Sequence, residues 1–329
     1  MATLSDIAKK AGCSVNLVAY VLKKGDSVTK EKHKEILRIA KELNYRPNFA
    51  ARALVTGKTD NIMFIVDSFK GQMETAFFPE LISEFAKELE KVGMGLQLKE
   101  INNLSAEEIK NCLLSGQSDG YVWYSCQPPT KEVVDIIHSR NIPSISLGRS
   151  KCMPYITIDD YKSTYNMMSY LYDCGHRSFA YCGEITPTPR KMAYDDFLKS
   201  RGLQTKVNIP FRERQYGHIN TIKHTLENNG VNFTAVVCER DSFAIELITL
   251  LKYFNVRIPE DVSIVGYDDI PDARICVPAL TTIHQSCSEM AEEAILKLRQ
   301  MINGSSLADI TNHMVVHEVV RRDSVKTLR

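Results

Sequence analysis

Short apolar runs alternate with amphipathic helical stretches from about residue 61 to the end of the chain. The apolar runs predict strands at Ile62–Val66, Leu96–Leu98, Gly120–Trp123, Ser144–Leu147, Ile156–Ile158, Phe179–Cys182, Ala235–Val237 and Ser263–Val265. The other stretches predict helices at Pro79–Lys91, Ala106–Leu114, Lys131–Ser139, Tyr161–Asp173, Tyr194–Ser200, Tyr216–Leu226, Phe243–Phe254 and Ser288–Ile302. Because strands that alternate with helices pair in parallel through right-handed crossovers, this order predicts an α/β core of two doubly wound parallel-sheet subdomains.

The first 58 residues lack this alternation and carry a strongly basic charge balance. They hold 12 lysines and arginines against 5 aspartates and glutamates, whereas the remainder holds 29 against 35. A basic segment attached to a mildly acidic body is typical of nucleic-acid binding. A solvated charged surface would give the same balance, so charge alone does not decide between these two interpretations.

The pattern of residues 1–46 predicts an all-α helix-turn-helix domain. Thr3 and Asp6 have the spacing of a capping box that starts a first helix, Gly12 can end it, and Ser14 can cap a second helix. A third helix begins near Thr29. The side chains that helical spacing turns inward are Leu4, Ile7, Ala8, Ala11, Val18, Val21, Leu22, Ile36, Leu37 and Ala40, with Leu43 and Tyr45 closing the core. Three short helices, with a tight turn between the first two, make a helix-turn-helix.

This arrangement exposes Val15, Asn16, Ala19 and Tyr20 on the second helix, which in such a motif enters the major groove of DNA. Asn16 can form two hydrogen bonds with adenine, and Val15 and Ala19 can contact thymine methyl groups. The other candidate DNA contacts, among them lysines placed to meet phosphates, are Thr3, Leu4, Ser14, Lys23, Lys24, Thr29, Lys30 and Lys32. The alternative is a three-helix bundle that binds no nucleic acid.

Residues 47–58 predict a short hinge helix and linker. Pro47 can start a helix and Gly57 can end it, but the segment is shorter than the ~12–15 residues that an isolated helix needs in water. We therefore expect this helix to form only against a partner, with the apolar Leu54 as a wedge in the minor groove. The candidate DNA contacts here are Asn48, Ala51, Arg52 and Leu54. The alternative is a plain interdomain linker.

Composition and motifs argue against several other classes of protein. The chain has no apolar run near the ~20 residues of a membrane span, and its start, MATLSDIAKK, does not have the pattern of a secretory signal. Its nine cysteines are scattered without a Cys-x-x-Cys pair, which is typical of reduced thiols in the cytoplasm. No nucleophile elbow, zinc-protease helix or phosphate-binding loop occurs, and the histidines lack metal-ligand spacing. We therefore expect a cytoplasmic protein with no catalytic residues, no metal and no cofactor.

Five motifs are spread over nearly the whole chain: TLSDIAKKAGCS, ELNYRPNFAARAL, Gly175-His176-Arg177, IPEDVSIVGYDD and PALTTIHQ. With these motifs the chain resembles transcriptional regulators of the lac-repressor (LacI/GalR) family. The resemblance implies a core of periplasmic-binding-protein type at residues 59–329, with one lobe at about 60–159 and 285–317 and the other at about 160–283 and 318–329. It also implies a homodimeric repressor that binds a pseudo-palindromic double-stranded DNA operator. A small-molecule effector, a carbohydrate or related metabolite, would control it.

The resemblance places candidate effector contacts in the cleft between the lobes. Phe77 and Phe78 stand where the family has an aromatic pair, and such rings can stack on a sugar or a base. Asp159 and Asp241 follow predicted strands where the family carries acidic residues, and Arg190 lies where the family has an arginine. A carboxylate can accept bonds from two hydroxyls, and an arginine can supply a bidentate fork. The alternatives are that Asp241 caps its helix and that Arg190 holds a surface ion pair.

The chain departs from the family pattern in both regions. Tyr20 stands where the family usually has an arginine, and Lys23 where it has an asparagine, so we expect an unusual operator half-site. Arg240 replaces an asparagine beside Asp241 and could meet an acidic or phosphorylated ligand. Three alternatives stay open: control by a protein partner, a phosphorylated ligand, or a solute-binding core with a vestigial head. The sequence leaves open which effector binds, and whether it induces or co-represses.

Overall fold

The structure, a computed structural model, describes residues 2–24, 29–45, 53, 57–67, 77–124, 128–210, 223–224, 227 and 231–328. The chain divides into two compact units, Met1–Thr59 and Asp60–Arg329, which we call the head and the core and describe separately. In the described ranges, no helix has both the length and the apolar character needed to cross a lipid bilayer.

The described part of the head is a bundle of helices: α1 (Leu4–Ala11), α2 (Val15–Lys24) and α3 (Lys30–Glu42). Ile7, Val18 and Ile36 are fully buried at its centre. The prediction that Leu37 points inward is wrong, since its side chain is 44% exposed and Ile39 is buried instead. Helical spacing predicts which side of a helix is buried, but it can misplace the edge of that side by one residue. In α3 the packing against α1 and α2 determines which residues are buried there.

The first lobe of the core is built on a six-stranded parallel sheet. Its strands are β1 (Asn61–Val66), β2 (Gly95–Glu100), β3 (Gly120–Tyr124), β4 (Ser144–Leu147), β5 (Tyr155–Ile158) and β11 (His313–Val315), in the order β11-β5-β4-β3-β1-β2. Its helices are α4 (Phe77–Lys91), α5 (Ala106–Leu114), α6 (Lys131–Ser139) and α11 (Cys287–Ile302). Helix α4 packs against α11, and α5 packs against α6.

The second lobe is built on a four-stranded parallel sheet. Its strands are β6 (Phe179–Gly183), β7 (Thr205–Pro210), β8 (Ala235–Cys238) and β9 (Ser263–Val265), in the order β7-β6-β8-β9. Its helices are α7 (Asp160–Asp173), α8 (Pro189–Ser200), α9 (Asp241–Tyr253) and α10 (Pro271–Ile275). Successive side chains of β6 enter different apolar cores, since Tyr181 packs with α7 and α8 and Cys182 with α9. This is the doubly wound arrangement that the sequence predicts, and with the all-α head it confirms the fold class.

The chain connects the two lobes at three places within the described residues: after β5, after β10 (Thr282–Ile283) and after β11. Strand β10 pairs antiparallel with the final strand, β12 (Val319–Val320). The residues after β12 return to the second lobe, where Ser324 is fully buried. Its hydroxyl donates to the Ile264 carbonyl at 2.6 Å and accepts the Thr281 N–H at 2.8 Å.

Most of the predicted core elements agree with the structure to within two residues at each end. Helix α8 is an exception, because it starts at Pro189 and not near Tyr194. The sequence does not predict strand β7, because the apolar pattern of this strand is weak and only Val207 and Ile209 are buried. The predicted helix at Tyr216–Leu226 falls almost entirely outside the described residues.

Candidate nucleic-acid interface and effector cleft

Local hydrogen bonds fix the start of α1 and the turn that leads from α1 into α2. The Thr3 hydroxyl and backbone N–H donate to Oδ2 of Asp6 at 2.8 and 2.9 Å, and the hydroxyl accepts the Asp6 N–H at 3.3 Å. These bonds from the backbone and side chain of Thr3 lower the pKa of Asp6, so a negative charge persists at the positive end of the helix. Gly12 ends α1 with a left-handed φ of 60°, and Ser14 accepts the N–H of Leu17 at 3.2 Å. Helix α2 therefore begins directly after Ser14.

The start of α2 presents four side chains to solvent, which we call the reading face: Val15, Asn16, Ala19 and Tyr20. Val15 is 42% exposed and Tyr20 is 39% exposed, whereas Val18, between them in sequence, is fully buried. Because the buried side of α2 is anchored in the head core, the direction of the reading face is set by packing. An amide, a phenol and two small apolar groups have the chemistry that reads base edges.

Some of the other candidate DNA contacts have structural roles. The sequence predicts a phosphate contact for Lys32, but its Nζ donates to the Ala11 carbonyl at 2.5 Å and pairs with Glu35 at 2.8 Å. Its charge therefore neutralises the carboxyl end of α1. Leu4 is half-buried against the head core, and the exposed Thr29 precedes α3 without a capping bond. The remaining candidates, namely Asn48, Ala51, Arg52 and Leu54 together with the side chains of Lys23, Lys24 and Lys30, lie outside what the structure describes.

In the core, Arg190 on α8 joins several groups near the carboxyl ends of the second lobe's strands. Its Nε donates to Oδ1 of Asp160 at 3.0 Å. One terminal nitrogen donates to the Glu239 carbonyl at 2.6 Å and lies 3.6 Å from Oδ1 of Asp268. The guanidinium carbon lies 3.5 Å from the ring centroid of Tyr267. Since the Arg190 side chain is only 17% exposed, the alternative of a surface ion pair does not hold. We call these five residues the acidic wall.

Asp268 follows β9 and adopts a φ of 116°, a conformation that residues other than glycine rarely occupy outside functional sites. Gln285 donates a short hydrogen bond to its Oδ1. Burial raises the pKa of Asp268 to about 6, although the nearby Arg190 and Arg240 lower it. A hydrogen-bond donor on a ligand would stabilise the charged form of this carboxylate.

Asp241 lies deeper in the second lobe and is fully buried. Its Oδ1 accepts the Thr282 hydroxyl at 2.5 Å, and its Oδ2 accepts the Ile270 N–H at 3.0 Å. Burial raises its pKa to about 7, and the bond from Thr282 opposes this rise. A Cβ at Gly266 would stand 2.0 Å from Oδ1, so no space remains there. Asp241 therefore has a structural role in place of the predicted effector contact, as the first residue of α9 and not as its cap.

The two aromatic candidates of the first lobe differ in accessibility. Phe78 is fully buried, with its ring stacked on Tyr124 at 5.6 Å and edge-on to Phe64 at 6.0 Å. Its ring belongs to the core of the lobe and is not available as the predicted stacking surface. Phe77 is half-buried at the start of α4 and stays a candidate. Asp159 is half-buried and caps α7 through a 3.0 Å bond from the Lys162 N–H.

A cavity of about 10 Å³, which is no more than the space that one water molecule needs, lies beside Arg190. Its lining includes Arg190, Glu239 and the buried Thr164, Tyr181 and Tyr267. The hydroxyls of the last three form no hydrogen bond of normal geometry. Across the described residues, no three histidine, cysteine or carboxylate side chains are grouped as a metal site would require.

Sequence reasoning identified Arg190 but missed the residues around it: Asp160, Glu239, Tyr267 and Asp268. A signal for Asp268 was available, because it follows the predicted strand Ser263–Val265 in IPEDVSIVGYDD. Ligands of parallel sheets bind beyond the carboxyl ends of the strands. Glu239 follows Ala235–Val237 in the same way, and Asp160 is adjacent to a residue already selected.

Comparisons with known proteins bear on the family and the fold of the chain. Residues 3–48 match the family described as bacterial regulatory proteins, lacI family, and residues 168–325 match the periplasmic binding protein-like domain. The chain is 33% identical to the HTH-type transcriptional repressor PurR of Pasteurella multocida (strain Pm70) over 99% of both chains. Its fold is similar to the lac repressor dimer bound to operator and the anti-inducer ONPF, with a TM-score of 0.79 and 19% identity over 99% of both chains. It is also similar to a complex of the transcriptional regulator CelR with cellobiose, with a TM-score of 0.68 and 20% identity over 98% of this chain and 100% of that one.

Proposed function

The chain belongs to the LacI family of bacterial regulatory proteins, and from this premise we propose that it represses transcription by binding a pseudo-palindromic operator as a homodimer. The observation that carries this proposal is the reading face at the capped start of α2. In a helix-turn-helix, the first residues of the second helix contact base edges. Two-fold symmetry of a dimer would be mirrored in two half-sites of the operator.

The four side chains of the reading face would select the operator. Asn16 can recognise adenine by two hydrogen bonds, while Val15 and Ala19 can contact thymine methyl groups. Tyr20 cannot form the two parallel bonds that an arginine makes with guanine. We therefore propose a half-site that differs from the common sites of the family at the base pairs facing Val15, Asn16 and Tyr20.

A small molecule bound at the acidic wall would control DNA binding. CelR forms a complex with cellobiose, which supports a sugar or related metabolite as the effector here. A ligand changes the conformational equilibrium only by its difference in affinity for the two states. A contribution of a few kcal/mol from contacts made in one arrangement of the lobes would suffice. The protein would act in the cytoplasm, where a bacterial operator lies, and would catalyse no reaction.

Selection from a pool of random DNA duplexes with full-length protein tests this function. We expect recovery of a two-fold symmetric site, and at least a tenfold loss of affinity for that site in Asn16→Ala, because the dimer makes one bidentate base contact in each half-site and each is worth ~1–3 kcal/mol. Affinity for unrelated DNA should change little. Asn166→Ala is the matched control, since Asn166 is exposed on α7 of the core. Recovery of no common sequence, or equal affinity of wild type and Asn16→Ala, would contradict the proposal.

A further inference from the structure

The last connection between the lobes carries a buried histidine, His317. It lies between β11, at the edge of the first lobe's sheet, and β12, which pairs with β10. The residue is only 4% exposed. Its backbone N–H donates to the hydroxyl of the fully buried Ser163 on α7 at 3.3 Å. A segment that links the two lobes is therefore as inaccessible to water here as the core of either lobe.

Hydrogen bonds join the other two connections to the segment around His317. Asp159, which follows β5, donates its N–H to the Val315 carbonyl at 2.8 Å, and His284, which follows β10, donates its N–H to the Glu318 carbonyl at 3.4 Å. When two lobes of a protein move, the residues that connect them absorb the change. The surroundings of His317 therefore depend on the arrangement of the lobes.

The imidazole ring of His317 suits this arrangement only in its neutral form. Among the described residues, no group is bonded to its buried Nε2. A neutral imidazole can leave one nitrogen as an acceptor, whereas a protonated imidazole donates from both nitrogens. A buried donor without an acceptor costs the desolvation of that donor, and the cost is higher for a charged group. Burial accordingly lowers the pKa of His317.

The charged and titratable groups around the ring do not offset its burial. They come from four elements of the core: Glu289 on α11, His284 after β10, Asp160 on α7 and Arg190 on α8. Glu289 and Asp160 favour the protonated ring, while His284 and Arg190 oppose it. The side chain of Glu289 is 47% exposed, so water screens its charge, and Asp160 is bonded to Arg190 at 3.0 Å. Neither carboxylate is bonded to Nε2 of His317.

We propose that His317 makes the arrangement of the lobes, and through it operator binding, depend on pH: the neutral ring stabilises the arrangement seen here, and protonation favours one in which water reaches the ring. The stabilisation is full above the ordinary histidine pKa of 6.5 and is lost as the pH falls below it. This proposal rests on the proposed function, because it takes the arrangement of the lobes to control operator binding. It adds a response to protons that needs no small molecule.

The test measures the affinity of the full-length protein for the two-fold symmetric site that selection recovers. Measurements run from about pH 8 to about pH 5.5 at constant ionic strength, because salt alone changes affinity for DNA. The quantity compared is the ratio of the dissociation constants of His317→Gln and wild type, in which the titrating groups of the head and the DNA cancel. We expect this ratio to change at least fivefold, since one unit of difference in the pKa of His317 between two arrangements is worth about tenfold in their equilibrium.

A ratio that stays constant over this range overturns the proposal and leaves operator binding in place. Failure of the wild type to select any site contradicts the proposed function, and the pH response with it. If His317→Gln does not fold, His317→Leu fills the same buried space with a side chain that does not titrate, and the same outcomes decide.

His313→Gln is the matched control. His313 lies on β11, just before His317 in the chain, but its side chain is 33% exposed and its Nε2 lies 3.5 Å from Oε1 of Glu289. We expect the corresponding ratio for this variant to stay nearly constant with pH. Equal changes of the ratio in the two variants would overturn the assignment of the pH response to the buried ring.

Discussion

The reading face and the acidic wall position their functional side chains in opposite ways. On α2, the backbone caps at both ends of the turn and the buried Val18 hold the helix, and the four side chains of the reading face project from it into solvent. In the acidic wall, Arg190 bonds to Asp160 and lies beside Asp268, and the side chains of Arg190 and Asp268 are mostly buried. The reading face can therefore change residues without disturbing the head. A change in the wall alters both the site and the stability of the lobe.

The largest effect should come from removing the shared cation of the wall. Arg190→Ala removes the nearest cation from the mostly buried Asp268 and the part-exposed Asp160. We expect the free energy of unfolding of the core to fall by ~3 kcal/mol, the lower end of the range for a buried pair, because Arg240 stays near Asp268. Urea denaturation measures this. Arg201→Ala is the matched control, because Arg201 is an exposed residue near the Tyr172 ring, and it should lose no more than ~1 kcal/mol. Equal losses of unfolding free energy in the two variants would mean that Arg190 stabilises the core no more than an exposed arginine does.

The buried Asp241 makes the stability of the second lobe depend on pH. Its pKa is about 7 in the folded chain against an ordinary value of 3.8 for an aspartate, so the folded state binds this proton more tightly than the unfolded state. The contribution of Asp241 to the free energy of unfolding is full below the pKa of the unfolded state and is lost as the pH rises through 7. Between pH 6 and pH 8 the loss amounts to about 1.4 kcal/mol.

Asp241→Asn isolates this effect. The asparagine can accept the Ile270 N–H and donate to the Thr282 hydroxyl, so it keeps both bonds without a titrating group. We expect the difference in unfolding free energy between variant and wild type to shift in favour of the variant as pH rises from 6 to 8. A difference that stays constant across this range would mean that Asp241 does not titrate there.

In the head, Thr3→Ala breaks the capping box of α1 and should lower the stability of the head by about 1 kcal/mol. Thermal unfolding followed by circular dichroism reports it. Thr29→Ala is the matched control at the start of α3, where the side chain makes no capping bond. A similar loss in both variants would show that the bonds between Thr3 and Asp6 do not fix the start of α1.

The smallest effect concerns Lys32, whose ammonium is bonded to Ala11 and Glu35. A lysine that contacts a phosphate contributes about one unit to the dependence of log K on log salt. We expect Lys32→Ala to leave this slope unchanged for binding of the selected operator, although it weakens the packing between α1 and α3. A slope lower by one unit would restore Lys32 to the DNA contacts that the sequence predicts.

The sequence predicts the elements whose determinants are local. The capping chemistry of Thr3, Asp6 and Gly12 acts within four residues, and the apolar runs mark the buried strands directly. The roles of Asp268 and Glu239 are harder to predict, because their contacts with Arg190 depend on the pairing of β6, β8 and β9. This pairing joins residues that are far apart in the chain. The spacing of residues along the chain does not predict which strands pair.

Burial of single side chains is predicted less well for the same reason. Asp241 looks like a free carboxylate at a strand end, and only the close approach of Gly266 and the hydroxyl of Thr282 shows that it is enclosed. Phe77 and Phe78 are neighbours with the same chemistry. They differ in accessibility because the ring of Tyr124 stacks on Phe78. Each distinction needs a partner from a distant segment.

The last segment of the chain completes both lobes. Strand β11 forms an edge of the first sheet, β12 pairs with β10, and Ser324 bonds to the backbone of Ile264 and Thr281. During synthesis, residues 60–283 therefore emerge before β11, which completes the first sheet, and before β12, the partner of β10. Neither lobe reaches its native hydrogen bonding until residues 313–324 have left the ribosome, so the two lobes should mature together once this segment has emerged.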